Sequence, residues 1–330
     1  MKTENKNVST WLFICCMLVI AMVGIGGATR LTKSGLSITE WKPILGIIPP
    51  ITHKEWEEEF NKYKKIPEFS TLGKNFSLID FKKIFYLEYF HRLFGRIIFL
   101  FTIIPLIYFF LRKKISTTQF IRLLGIFALI GVQGLIGWYM VKSGLKYRTN
   151  VNEFWLAFHL CFALLIFTLI FYEGLKIKFQ NLEKNQEKSS IILFITTFII
   201  LPIQIFFGGL VAGSHILHFC NNNTHEICSF KFLDVVIYQD TMPYFWAHKL
   251  LGIISLFAIL ITCFSILKYR KKLSALILAA TLLQIGLGIS VIFIQSTSIW
   301  TNYLAVFHQV NGFFIYGTMI YAIVSNKYQI

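Results

Sequence analysis

Four histidines carry most of the chemistry open to this chain. His91 stands in Glu88-Tyr89-Phe90-His91-Arg92, and His159 closes Asn152-Glu153-Phe154-Trp155-Leu156-Ala157-Phe158-His159. His248 lies in Tyr244-Phe245-Trp246-Ala247-His248-Lys249, and His308 closes Asn302-Tyr303-Leu304-Ala305-Val306-Phe307-His308. Each sits a few residues inside an apolar run, and they form two pairs with spacings of 68 and 60 residues. Ionisable groups within hydrocarbon are costly and mark function. Two facing histidines can bind a metal, relay protons or ligate haem iron from both sides. A structural zinc site wants four ligands, and each half offers two histidines with no cysteine–carboxylate set at their depth. Haem wants axial ligands and an apolar slot. Phe90, Trp155, Phe158, Phe245, Trp246 and Phe307 suit its walls, and equally suit an interfacial aromatic belt.

Charged neighbours separate the pairs. Glu88 precedes His91 by three residues, so on a helix the two share a face; Phe245 holds the matching place before His248. A carboxyl group there can take protons or stabilise a developing cation; the plain alternative is a solvated acid near a helix start. Arg92 and Lys249 follow the first histidine of each pair, placed either to snorkel or to meet the carboxylates of a haem.

The elements that must position these groups are membrane helices. The 330 residues are 55% hydrophobic and 15% charged, with mean hydropathy +0.63, whereas soluble domains carry about 25% charged residues. Apolar runs near 11–27, 86–111, 121–141, 153–172, 190–213, 243–267, 273–295 and 302–324 approach the roughly 20 residues a span needs, which predicts eight transmembrane helices. The first is expected to be a retained helix rather than a cleaved leader. The net charge of +16 then reads as lysine and arginine holding a topology rather than a nucleic-acid surface. Basic residues concentrate in 1–10, 112–120, 173–189, 268–272 and 325–330, which places both termini in the cytoplasm. All four histidines then fall roughly 10 Å below the outer membrane edge.

The chain also repeats itself. Gly26-Gly27 matches Gly208-Gly209, and Gln133-Gly-Leu-Ile-Gly137 matches Gln284-Ile-Gly-Leu-Gly288. These are parallel repeats, with small residues that admit close helix packing or a flat ring. The halves are read as 1–172, with a long outer loop 28–85, and 190–330, joined by the charged linker 173–189. Cys15, Cys16, Cys161 and Cys263 fall in apolar runs, as small buried hydrophobes. Cys220 and Cys228 share a polar loop and are expected to form a disulfide there in an oxidising space. His215, His218 and His225 near them offer the makings of a metal site, but their irregular spacing reads rather as a solvated loop, and His53 in the first loop reads as solvated.

Together these motifs resemble the haem A synthase family over essentially the whole length. The resemblance rests on Gly26-Gly27-Ala28-Thr29-Arg30-Leu31-Thr32 with Ser34-Gly35-Leu36-Ser37, on Glu88-Tyr89-Phe90-His91-Arg92, Phe158-His159, Phe245-Trp246-Ala247-His248-Lys249 and Phe307-His308-Gln309. It implies an all-α integral membrane fold of two pseudo-symmetric four-helix bundles that oxidises the C8 methyl of haem O to the formyl of haem A. It implies haem b on His248 and His308, and haem O held by His91 and His159 beside Glu88. It further implies the bacterial cytoplasmic membrane with the haem sites toward the outer side, surrounding membrane lipid, an unidentified electron acceptor, and haem O synthase and terminal oxidase assembly factors as partners; a homo-oligomer stays open. Some members carry a cysteine pair in the first outer loop; no cysteine lies between residues 28 and 85 here, as in the proteobacterial and mitochondrial subgroup. The competing readings are a di-haem electron-transfer cytochrome and a histidine-relay transporter. The nearly unbroken Ile, Leu and Phe of the inner helix halves speaks against the transporter.

Overall fold

The structure, a computed structural model, describes residues 2–41, 45–73, 75–183, 191–214, 242–293 and 299–328. Cys220, Cys228, His215, His218 and His225 lie outside the described residues, and with them the expected disulfide. Among the described residues there are helices and no strand: α1 Lys2–Leu31, α2 His53–Tyr63, α3 Leu78–Leu111, α4 Thr117–Tyr147, α5 Glu153–Phe179, α6 Ile191–Ile195, α7 Leu201–Gly213, α8 Met242–Leu267, α9 Lys271–Phe293 and α10 Ile299–Ser325. Short 3-10 turns occupy Leu45–Ile47 and Pro67–Thr71.

Local sequence sets where helices begin. Thr52, Ser77 and Ser116 each accept the N–H three residues on, while Glu55, Asp80 and Gln119 reach back to the cap N–H, so orphan donors are satisfied reciprocally. Asn152 caps α5 through the N–H groups of Phe154 and Trp155. Between α6 and α7 the chain widens into one π-turn, Thr196–Ile200, closed by the Leu201 N–H on the Thr196 carbonyl. Pro202 follows at once and has no N–H to continue an α ladder.

Among the described residues seven helical spans are long and apolar enough to cross a membrane, α6 through α7 counting as one, so this is a membrane protein with several spanning helices. The eighth expected span, α10, is 27 residues long but falls outside that set. His308, Gln309 and Asn311 dilute its apolar run.

Two expected boundaries move. α3 starts at Leu78 rather than near residue 86, because the Ser77–Asp80 box nucleates it and Phe81 and Phe85 are buried. α5 continues past residue 172 to Phe179, carrying the buried Glu173, Leu175, Ile177 and Phe179 into the segment expected to be linker. Glu173 meets Arg122 of α4 at 2.9 Å, which ties the two helices together.

The expected loop 28–85 is thus largely an aromatic cap over one end of α3. Trp56, Phe60 and Tyr63 of α2 lie against Phe85 and Phe81, with ring centroids 5.0, 5.1 and 5.2 Å apart. His53 opens α2, exposed and 3.5 Å from Glu57. Beneath the cap, α5 is central and packs on α1, α4, α7 and α10. A continuous core of Leu12, Phe127, Phe167, Ile170, Phe313 and Met319 fills the far end of the bundle.

Candidate functional site

Each of the four histidines is seated against a glycine of a neighbouring helix. A Cβ built on Gly26 of α1 would lie 3.4 Å from His91 Nε2. On Gly137 of α4 it would lie 2.9 Å from His159 Cε1, on Gly208 of α7 3.0 Å from His248 Cε1, and on Gly288 of α9 2.9 Å from His308 Cε1. Real Cβ atoms essentially never approach so closely as at Gly137 and Gly288, and the Gly208 approach is tighter than nearly all real ones. The repeated glycines therefore make room for imidazole rings as well as for helix backbones. Gly134 and Gly286, from the same motifs, face nothing within 4 Å.

The second pair is close and fixed. The His248 and His308 rings are 6.3 Å apart, centroid to centroid, at 72°. His248 Nδ1 lies 3.2 Å from the Gln204 carbonyl, and His308 Nδ1 lies 3.1 Å from the Gln284 carbonyl. A carbonyl only accepts, so in both rings Nδ1 carries the proton and Nε2 keeps its lone pair. At His308 a chain of bonds agrees with this. Asn311 Nδ2 donates to Gln284 Oε1 at 2.8 Å, and Gln284 Nε2 donates to His308 Nε2 at 3.1 Å. The Gln-x-x-x-Gly spacing explains the anchor: with no side chain on the glycine, the ring reaches the carbonyl one turn back. A metal–imidazole bond of about 2 Å on each side brings two ring centroids to roughly 6 Å. This pair therefore fits one metal held between two Nε2 atoms, with the Gln284 amide displaced from His308 Nε2 and each ring oriented through its other nitrogen.

The first pair lacks those anchors. His91 and His159 are near enough to interact electrostatically. His91 turns Nε2 toward Gly26, and Met22 stands where the other helices carry glutamine. His159 Nδ1 is buried without a hydrogen-bond partner, as is Gln133 Oε1, while Gln133 Nε2 donates to the His159 backbone carbonyl at 2.9 Å. One pair is locked and the other is not.

Glu88 is neither solvated nor at a helix start. It lies well inside α3 and is 2% exposed. Its Oε2 accepts from Ser37 Oγ at 2.8 Å and from the Ile38 N–H at 2.7 Å, and its Oε1 pairs with Arg92. Arg92 also donates to the Ile38 carbonyl at 3.0 Å. The acid and base together clamp the segment after α1 over the His91 end. In the second half the equivalent pair is Phe245 and Lys249, whose ammonium lies 4.3 Å from the Phe245 ring and 4.7 Å from the Trp246 ring.

Three of the six candidate slot aromatics turn away. Phe90, Phe158 and Phe307 are 55%, 45% and 60% exposed, because each precedes its histidine and one helical residue is a rotation of roughly 100°. Trp155 instead packs edge-on against Tyr139 at 4.5 Å. The glycine pairs reveal a contact between repeats that spacing alone did not. Gly26 faces His91 while Gly27 faces Gln309, the neighbour of His308; Gly208 faces His248 while Gly209 packs on Ala157, two residues before His159. Sequence reasoning also missed the Gln204 and Gln284 carbonyls, although Gln-x-x-x-Gly recurs three times as their signal.

The chain is similar to proteins of known name. A heme A synthase of Ehrlichia ruminantium (strain Gardel) is 39% identical over 96% of this chain and 94% of its own length. One from Ehrlichia canis (strain Jake) is 38% identical over 96% and 92%, and one from Rickettsia felis is 37% identical over 87% and 89%. No solved structure matches the chain. Residues 9–320 match the COX15-CtaA family, described as cytochrome oxidase assembly protein. From the cap to the last histidine, this chain belongs to the COX15-CtaA family.

Proposed function

We propose that the chain is a haem A synthase, which takes haem O at His91 and His159 and oxidises its C8 methyl group to a formyl group. His248 and His308 hold haem b. The observation that carries the reading is the asymmetry between two matched histidine pairs: one with both rings anchored through Nδ1, the other unanchored and beside a buried carboxyl group. An anchored pair suits a resident cofactor, and an unanchored pair suits a haem that must enter and leave. The same asymmetry counts against a di-haem cytochrome with two equivalent sites.

A bis-histidine haem supplies one-electron redox chemistry when bound. The remaining work falls to this chain's own residues. His91 and His159 hold the substrate haem by its iron, and Arg92 and Lys249 are the cations placed for haem carboxylates. Glu88 keeps a negative charge and hydrogen-bond acceptors near a methyl group that becomes electron-poor as it is oxidised. Each oxidation converts R–CH3 and water to R–CH2OH with release of two electrons and two protons. A second such step gives the geminal diol, which loses water to leave the aldehyde. The electrons pass to an acceptor outside the chain, and the protons pass to solvent.

In this reading α10 is an eighth span. The halves, 1–172 extended along α5 to Phe179 and 190–330, are four-helix bundles in the bacterial cytoplasmic membrane, with both termini cytoplasmic and the histidine ends outward. Membrane lipid surrounds them, and partners upstream and downstream supply haem O and build the terminal oxidase. The test is to express the protein with a source of haem O and separate the extracted haems. Haem A and haem O alongside haem b support the reading; haem b alone, at two per chain, would overturn it in favour of the cytochrome.

A further inference from the structure

A second buried carboxyl group stands near the first, and nothing above uses it. Glu68, in the 3-10 turn Pro67–Thr71, is 2% exposed although it lies outside every spanning helix. Its Oε2 accepts one hydrogen bond, from Tyr63 Oη at 3.1 Å, and Tyr63 is fully buried. The Tyr63 ring packs on Phe69, Phe76 and Phe81, and Phe60 packs on Phe69, so the phenol that donates to Glu68 is itself held in an aromatic cluster. Three groups act on the carboxyl group: Tyr63 from α2, Glu88 from α3 and Lys33 from the segment after α1. Both Glu68 and Tyr63 feel the charge of Glu88. α4 also packs on this turn and contributes no such charge among the described residues.

The two acids are equipped differently. Glu88 is held by Arg92, a hydroxyl and a backbone N–H; Glu68 has a single neutral donor and no cation in contact. Two nearby carboxyl groups in unlike surroundings divide the work of holding charge and of moving protons. From this geometry we infer that Glu68, hydrogen-bonded by Tyr63, is the proton-holding group of the first-half site, while Glu88 is its fixed, ion-paired partner. Burial, helped by the charge of Glu88, raises the Glu68 pKa to about 7. The group can therefore gain and lose a proton near neutral pH. The role of Glu68 rests on the proposed oxidation: as water adds to the oxidised methyl carbon, a proton is released, passes to the Glu68 carboxylate, and leaves from there to solvent. Glu68 touches no reacting atom in this scheme; it acts through the Glu88 end of the site.

The test has two arms on detergent-purified full-length protein. In the first, infrared difference spectra follow a protonated carboxyl band through pH 5–9, with no need of haem A formation. A band titrating near pH 7 in the wild type, absent from Glu68→Gln, is expected; its persistence in the variant would overturn the assignment. In the second, haem A formation from haem O is measured against pH. Glu68→Gln should be slowed at least about tenfold and lose the ionisation near pH 7, with an unchanged haem b spectrum. Tyr63→Phe, a milder change, should move that ionisation upward, because the phenol hydrogen bond lowers the Glu68 pKa. A wild-type pH profile in Glu68→Gln would overturn the inference even if haem A synthesis is confirmed. Absence of haem A from the wild type would overturn the functional reading and the proton role with it, while the infrared arm still reports the carboxyl group.

Discussion

At the scale of single residues, the glycines make the sharpest distinctions. Gly286 and Gly288 sit two residues apart in one motif, yet only Gly288 faces an imidazole. Gly288→Ala is expected to push His308 off its position and to strip or shift the bound haem b spectrum. Gly286→Ala has open space and should leave the spectrum intact, with helix stability raised by up to about 1 kcal/mol. Equal effects of the two substitutions would refute the ring-seating role. Glu88→Gln keeps the shape of the side chain but removes the charge facing Arg92. Breaking a buried pair costs about 3–5 kcal/mol, most of it here in the clamp on Ser37 and Ile38. The variant should retain haem b and accumulate haem O or the hydroxymethyl intermediate. Wild-type haem A output, by chromatography of extracted haems, would remove Glu88 from the site.

At the scale of elements, the cap has its own aromatic cluster, shared with the start of α3. Trp56, Phe60 and Tyr63 are buried against α3, so Trp56→Ala should cost about 3–5 kcal/mol. Faster amide exchange over residues 53–63, with the spanning helices still protected, would show it. The cap should also respond to pH through Glu68. Its pKa is about 7 in the folded cap against an ordinary value of 4.5, so the folded state binds the extra proton. Stability from this group is fully present below about pH 4.5 and is lost as pH rises through about 7, a change of about 3 kcal/mol. Amide exchange in the cap should therefore accelerate from pH 5 to pH 8 beyond the intrinsic chemical rate. Glu68→Gln should flatten that excess.

At the scale of the whole molecule, the two repeats meet through close helix contacts. A Cβ on Gly209 would come within 2.8 Å of the Ala157 Cα, whereas one on Gly27 would meet the movable Gln309 side chain at 2.9 Å. Gly209→Ala must then force α5 and α7 apart, at about 1–3 kcal/mol. Its thermal midpoint in detergent should drop by several degrees, and haem A output should fall because α5 carries His159. Gly27→Ala should be milder in both measurements. The reverse order would mean that the repeats do not pack as described.

Much of this was written in the chain itself. Four histidines at matched places, glycine pairs repeated across the halves and a lysine-rich set of short loops suffice to read a helical membrane protein with two related histidine pairs. Such features are local, because helical periodicity and apolar run length are properties of neighbouring residues. Tertiary structure alone decided the rest. Which glycine of a motif faces a ring depends on the rotation of the helix beside it, and the Nδ1 anchors pair residues 44 and 24 positions apart. The sequence left a solvated helix-start acid open as the alternative for Glu88, because its partners, Ser37 and Ile38, are 51 and 50 residues away. Glu68 gave no signal at all. It is buried only once the turn folds against α2 and α4, and no spacing within one segment records that burial.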